Sequence, residues 1–397
     1  MGPVITGLGV LAPNGVSVDA FWNSVRDGVP ATGPAASCPG LGILAGELPH
    51  GEHFASLPRA RPAVCDRSAL MAVAAARAAL DDAGLAGHPL DPLRVGVILG
   101  NGAGGQTTVE EQYVDILQRG QQRPSPLSVV KAMPSSSASW ISMAFGFRGP
   151  VFVVTSACAS ATQAIGIATQ MISSGLADVI ITGGTEACLT NGVLRAWASM
   201  GVLAPDACRP FSRNRRGIIL SEGAGILVLE SYEHATARGH VADVQLAGFG
   251  FSADAGQITS PNASGMARAM AEALRSAGLK PDEVDYVNAH GTGTKANDIT
   301  EAAALRTVFG SSVPPVSSTK AVHGHALGAS GALEAIATIL GMRHGIAPPT
   351  ANHTEPDPDC DIDCIPNVAR PLVIRSALSN SFAFGGINAS LAFASLS

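Results

Sequence analysis

The sequence predicts an α/β protein, and three observations carry that class. Short β-branched runs alternate with Ala-rich helical patterns along the chain. Hydrophobic residues make up 46% of the composition against 14% charged, enough to fill a large core. A strand–turn–helix pattern occurs twice, which points to two related halves within the 397 residues.

The elements follow in order. "MGPVITGLGVLAPNG" reads as a strand and a turn, because it lacks the basic start, apolar stretch and cleavage site of a leader. Arg67–Leu85 has a helical period, with Gly84 placed to end it. Val95–Leu99, Val151–Thr155, Val179–Thr182 and Ile226–Glu230 are expected to be strands buried on both faces. "GNGAGG" (100–105) satisfies G-x-G-x-x-G formally, but no second strand ending in a ribose-binding acid follows. Backbone turning is the better explanation. The repeated unit is "VVTSACASATQAIGIATQMISSG" and "PVSSTKAVHGHALGASGALEAIATILGMRHG", each a strand, a turn and an Ala/Ile-rich helix ending near glycine. The halves are expected to span residues 1–242 and 243–397 and, with no low-complexity linker between them, to pack as one body.

Composition also excludes some functions. A net charge of −6 and a pI near 5.9 argue against a general nucleic-acid binder, which needs a basic face. No apolar run approaches the roughly 20 residues of a membrane-spanning helix. The seven cysteines are odd in number and scattered, so a disulfide framework is not expected and a reduced cytoplasm is. "DPDCDIDC" (357–364) mixes thiols and carboxylates, but no second ligand pair stands at metal-site spacing. Turn residues and solvated acids are expected there, and no metal.

Three constellations remain. Cys158 follows an apolar run and opens a helical pattern, where the first unsatisfied N–H groups favour thiolate over thiol. Ala157, Ala159 and Ala161 leave room for a substrate. Taken alone, this cysteine reads equally as packing. His290 ends a strand in "VNAHGTGTKANDITEAA", with Asp298 and Glu301 in the first turns of the next helix. In "SSTKAVHGHALGASGALEA", Lys320 and His325 surround a glycine-rich turn, and Glu334 lies on the helix beyond. The isolated His50, His53, His88, His234, His240, His344 and His353 read as structural or exposed. One thiol and two imidazoles at glycine-flanked turns suit a thioester-forming nucleophile with two donors for a developing oxyanion.

"TSACAS", "NAHGTGTKAND", "STKAVHGHALGASGALEA" and "NSFAFGGINAS" resemble, in order, the blocks of the β-ketoacyl synthases of the thiolase superfamily. "VITGLGVLAPNG" and "RPFSRNRRGIILSEGAG" extend the likeness over essentially the whole chain. The resemblance implies a five-layered αβαβα thiolase-like fold of two pseudo-duplicated halves and a discrete, type II enzyme. It implies that Cys158 takes an acyl chain from the phosphopantetheine of an acyl carrier protein, with no bound cofactor. His290 and His325 then stabilise the enolate left when malonyl thioester loses carbon dioxide. It further implies a Lys320–Glu334 pair that orders the site, oxyanion donors at the Cys158 and Phe384 N–H groups, and a gating loop containing Phe382, Phe384 and Gly385. The implied partners are the carrier protein and a second subunit, as a homodimer or a heterodimer with a chain-length-factor-like chain. Arg209, Arg213, Arg215 and Arg216 form a basic run that reads equally as a docking patch for an acidic carrier protein or as a loop of solvated or internally paired arginines. The chain departs from the family pattern at Ala383, Ile387, Ser212 and Arg216, which favours specialised polyketide or polyene-like synthesis over housekeeping fatty-acid elongation. A non-condensing chain-length factor is disfavoured by Cys158.

Overall fold

The computed structural model describes residues 2–49, 51–55 and 57–396. Ten strands form the main sheet. The first half supplies β1 (Val4–Leu11), β2 (Val95–Gly100), β3 (Val151–Val154), β4 (Val179–Glu186) and β5 (Gly223–Glu230). The second supplies β6 (Val244–Ala253), β7 (Tyr286–Asn288), β8 (Val316–Ser317), β9 (Ser376–Ala383) and β10 (Ile387–Ser395). Their order is β8-β7-β9-β10-β6-β1-β5-β4-β2-β3. Each half therefore repeats one plan: its first strand lies beside its fifth, then come the fourth, second and third. In both, the first–fifth and fifth–fourth pairs are antiparallel and the other two parallel. A single pairing, Val4 with Gln245, joins the half-sheets.

Five helices complete the layers: α1 (Arg67–Asp82), α2 (Ser160–Ser173), α3 (Ala263–Ala277), α4 (Lys295–Phe309) and α5 (Ser330–His344). Strand alternation assigns each helix its face. Val95, Val97 and Leu99 pack outward with α1, while Ile98 points inward with Ala164 and Ile165 of α2. In the second half Val287 and Leu378 pack outward with α3 and α4, while Tyr286 and Ala377 join the inner cluster. The inner cluster holds α2 and α5 between the half-sheets, giving the five-layered αβαβα arrangement. Every residue of α5 from Ser330 to Met342 is buried, as a helix walled on all sides requires. Close approach is needed where α2 begins: a Cβ on Gly100 would lie 2.2 Å from the Ala161 nitrogen.

One expectation fails here. β3 is not buried on both faces; Phe152 is 37% exposed, because β3 is an outer strand of the sheet. A β-branched run reads alike in central and edge strands, and only the topology separates them. Among the described residues no helix is long and apolar enough to cross a membrane. All seven cysteines are free and buried.

Candidate active site

The two copies of the repeat deliver their turns to one point. After β3, Ala157 adopts φ +50°, a 3-10 turn covers Ala157–Ala159, and α2 starts at Ser160. Ser160 Oγ accepts from the Ser156 N–H at 2.9 Å and donates to the Ala157 carbonyl at 2.6 Å, which fixes the turn. After β8, Leu327 takes φ +41°, a 3-10 turn covers Leu327–Ala329, and α5 starts at Ser330. Non-glycine residues rarely enter this left-handed region, and such strain persists only where the surroundings hold it. His290 arrives from β7. Its N–H and that of Gly291 donate to the two oxygens of Glu301, at 2.8 and 2.7 Å. Asp298 accepts from the N–H groups of Phe211, at 2.8 Å, and Gly293, at 3.2 Å, so both predicted acids hold the loop that carries His290.

Cys158, His290 and His325 then converge, with one side-chain N or S atom of each lying within 4.8 Å of the others. The imidazole rings meet edge to face, 5.5 Å between centroids, and Phe382 closes on His290 at 6.2 Å. The three line a cavity of about 400 Å³, with Phe384 and Trp197 among its apolar walls.

Hydrogen bonding fixes both tautomers. The Leu327 N–H, which can only donate, points at His325 Nδ1 from 3.1 Å. The Lys320 ammonium, also only a donor, lies 3.2 Å from His290 Nδ1 and 2.6 Å from the His290 carbonyl. Each neutral ring therefore carries its proton on Nε2. Burial, then the Lys320 charge, holds both imidazoles well below the usual histidine range, so they stay neutral. With both Nδ1 lone pairs engaged, the trio is a thiol and two N–H donors, poorly suited to ligate a metal.

Burial pushes the Cys158 thiol up to about 12, with the Lys320 charge opposing, so burial works against the thiolate that the helix start favours. Lys320 pairs with Glu334 in full burial, and burial raises the Glu334 carboxyl to about 7 against the pull of that lysine.

Phe382, Phe384 and Gly385, expected from the sequence to form a gating loop, lie at the end of β9 beside the cavity. Phe384 is 39% exposed and stacks on Trp197 at 5.8 Å. Gly385, at φ +87°, donates to the Ile258 carbonyl at 2.7 Å. Ala383 ends β9 with its side chain buried.

The docking arginines do not act as a set. Arg215 is 1% exposed, bonded to Asp357 and 3.6 Å from Asp298, so it cannot meet a partner protein. Arg209 is mostly covered and pairs with Asp206 at 2.8 Å, leaving only Arg213 and Arg216 exposed. A run of like charges does not reveal which member folds inward. The same pairs revise the 357–364 reading: Asp357 and Asp363 are engaged, with Arg215 and Arg370, and Cys360 and Cys364 are buried. Ser212 binds the 354–355 backbone through its hydroxyl. Among the histidines set aside, His234 meets Glu230 at 2.6 Å and His344 stacks on Trp22, while His50 lies outside the described residues.

Sequence reading missed Glu186 and Ser330. Glu186 ends β4 with its carboxylate buried, and the only signal was an acid closing an apolar strand. Ser330 Oγ lies 2.9 Å from His325 Nδ1.

Comparison with known proteins agrees with this geometry. Residues 3–235 match the β-ketoacyl synthase N-terminal domain family, and residues 243–354 match its C-terminal domain family. The chain is 48% identical to nodulation protein E of a Rhizobium sp., over 98% of both chains. It is 37% identical to 3-oxoacyl-[acyl-carrier-protein] synthase 2 of a Synechocystis sp., over 98% of this chain and 97% of that one. The ishigamide ketosynthase/chain length factor structure superposes with a TM-score of 0.96 at 36% identity, covering 100% of this chain and 99% of the other. Duplicated halves, converging turns and these matches agree: the chain belongs to the β-ketoacyl synthase family, acyltransferases of the condensing type.

Proposed function

We propose that this chain performs decarboxylative Claisen condensation with Cys158, His290 and His325 as its catalytic residues, in a specialised polyketide-like pathway. The observation that carries the chemistry is the pair of fixed Nε2–H donors beside one buried thiol. Cys158 attacks the thioester of an acyl carrier protein, and its proton leaves with the carrier thiol, so no free thiolate need accumulate. A malonyl thioester then binds with its carbonyl oxygen toward both imidazoles. Loss of carbon dioxide places negative charge on that oxygen, where the two N–H groups stabilise it. The enolate carbon attacks the Cys158 acyl carbonyl, with the Cys158 and Phe384 backbone N–H groups as oxyanion donors. Collapse breaks the bond to sulfur, which takes up a proton from solvent to return to the thiol, and releases a β-ketoacyl carrier protein two carbons longer. Lys320, Glu334, Asp298 and Glu301 position the histidines, and the boundary between halves is placed at residues 242 and 243.

The specialised assignment draws on the higher identity to nodulation protein E than to 3-oxoacyl-[acyl-carrier-protein] synthase 2, and on the departures at Ala383, Ile387, Ser212 and Arg216. Arg213 and Arg216 are the exposed cations offered to the acidic carrier. A second subunit, a copy or a chain-length-factor-like partner, covers the β3 edge, where Phe152 is exposed. The test is to incubate the purified chain, alone and with a candidate partner, with acyl- and malonyl-carrier protein. Intact-protein mass spectrometry is expected to show acyl-Cys158 and a two-carbon-longer β-ketoacyl carrier. A chain that never acylates under either condition would be a non-condensing subunit.

A further inference from the structure

The carboxylate of Glu186 has no part in the chemistry above, yet it is fully buried where loops from the two halves meet. Its Oε2 accepts from the Gly102 N–H at 2.9 Å and the Gly328 N–H at 3.0 Å, and its Oε1 accepts from the Ala103 N–H at 3.2 Å. Space there is too small for anything else. A Cβ on Gly328 would lie 2.3 Å from the Gly102 nitrogen, and one on Gly102 would lie 2.7 Å from Glu186 Oε2. One carboxylate thus clasps "GNGAGG" of the first half to the turn after His325 of the second.

We infer that Glu186 is a positioning residue for His325, holding the Leu327–Gly328 turn so that the Leu327 N–H keeps the imidazole proton on Nε2. The inference rests on His325 being an enolate-stabilising donor. Leu327 sits at φ +41°, which a leucine does not hold without restraint. Its N–H must point at Nδ1, and the next N–H, that of Gly328, is the one Glu186 grips. Ser330 cannot substitute, because a rotatable hydroxyl 2.9 Å from Nδ1 serves either tautomer. Only the backbone N–H discriminates between them. Anchoring from the other side comes from the His325 backbone, whose N–H donates to the Ile219 carbonyl at 2.7 Å. Burial raises the Glu186 carboxyl to about 7 despite three N–H donors, so the clasp operates near its own titration.

The experiment uses Glu186→Ala in the full-length protein with acyl- and malonyl-carrier substrates. Alanine leaves the Gly102, Ala103 and Gly328 N–H groups without their shared acceptor, which opens the clasp. Malonyl decarboxylation is expected to fall about 10–100-fold, the loss typical of an orienting partner. Cys158 acylation should stay within roughly threefold, because a tautomer change at His325 touches only the step that uses it. With ¹⁵N-histidine labelling, the signal missing from His325→Gln should report a protonated Nε2 in the wild type and mixed tautomers in Glu186→Ala. Gly102→Ala, which pries at the clasp while keeping the carboxylate, should give the same split and serves if Glu186→Ala does not fold. Equal loss of both partial reactions, or an unchanged His325 tautomer, would overturn the inference. If His325→Gln itself spared decarboxylation, the proposed role of His325 would fall instead.

Discussion

Replacing Lys320 by Met separates what the buried charge does for the fold from what it does for chemistry. Lys320 touches Glu334, the His290 carbonyl and His290 Nδ1, all without solvent. Removing the cation strands a buried carboxyl, and breaking such a pair costs about 3–5 kcal/mol. A 397-residue chain has an unfolding entropy near 0.8 kcal/mol/K, so the melting temperature should fall by about 4–6 °C. The second loss is the donor at Nδ1, without which the His290 proton is free to sit on either nitrogen. Malonyl decarboxylation should drop about 10²-fold, the scale of one missing oxyanion donor. The double variant Lys320→Met/Glu334→Leu replaces the pair by apolar groups, which usually restores stability. Differential scanning calorimetry should show the melting temperature recovering while the decarboxylation rate does not. If both recover together, the pair is only packing and the tautomer argument is wrong.

The other predictions concern single residues. Cys158→Ala should abolish the acyl-enzyme adduct in intact-protein mass spectra yet retain some malonyl decarboxylation; normal acylation would overturn the assignment. His290→Ala should slow decarboxylation about 10²–10³-fold and Cys158 acylation far less, read from the two partial reactions. Arg213→Glu with Arg216→Glu should raise KM for acyl-carrier protein and leave kcat near wild type, whereas Arg215→Met should lower the melting temperature by stranding buried Asp298. Glu301 tests the pH dependence of stability. Burial raises its carboxyl from 4.5 to about 7, so the folded state holds a proton that the unfolded state releases between those values. That contribution is complete below about pH 4.5 and lost by pH 7, roughly 3 kcal/mol in all. The stability of the wild type minus that of Glu301→Gln, from urea titrations, should therefore fall as pH rises from 5 to 8; a rise in that difference would contradict it.

The α/β class, the repeated strand plan and the three residues whose side chains converge were legible because each leaves a local mark. An apolar run ends at a small-residue turn, and a histidine follows a strand. Asp298 and Glu301 were legible as first-turn acids, although their partners in the 209–212 and 290–293 loops were not. Arg215 stayed open between docking and internal pairing because its partner Asp357 lies 142 residues away. The burial that opposes ionisation of Cys158 was hidden for a similar reason. The helix start is visible in sequence, but the depth at which the thiol lies is a property of all five layers. Glu186 escaped notice because its three partners lie in two distant loops and are backbone atoms, which no residue identity reports. The edge position of β3 was hidden because side chains encode strand propensity, not the strand's place in the sheet.

That edge also has a cellular consequence. Val151–Val154 is the last strand of the sheet order, and Phe152, Val129, Val130 and Met143 are exposed apolar residues of the same half. An open apolar edge is a template for adventitious strand addition. With the second subunit proposed above covering this edge, chains made faster than that subunit would be lost to aggregates or proteases, making soluble yield a readout of subunit stoichiometry.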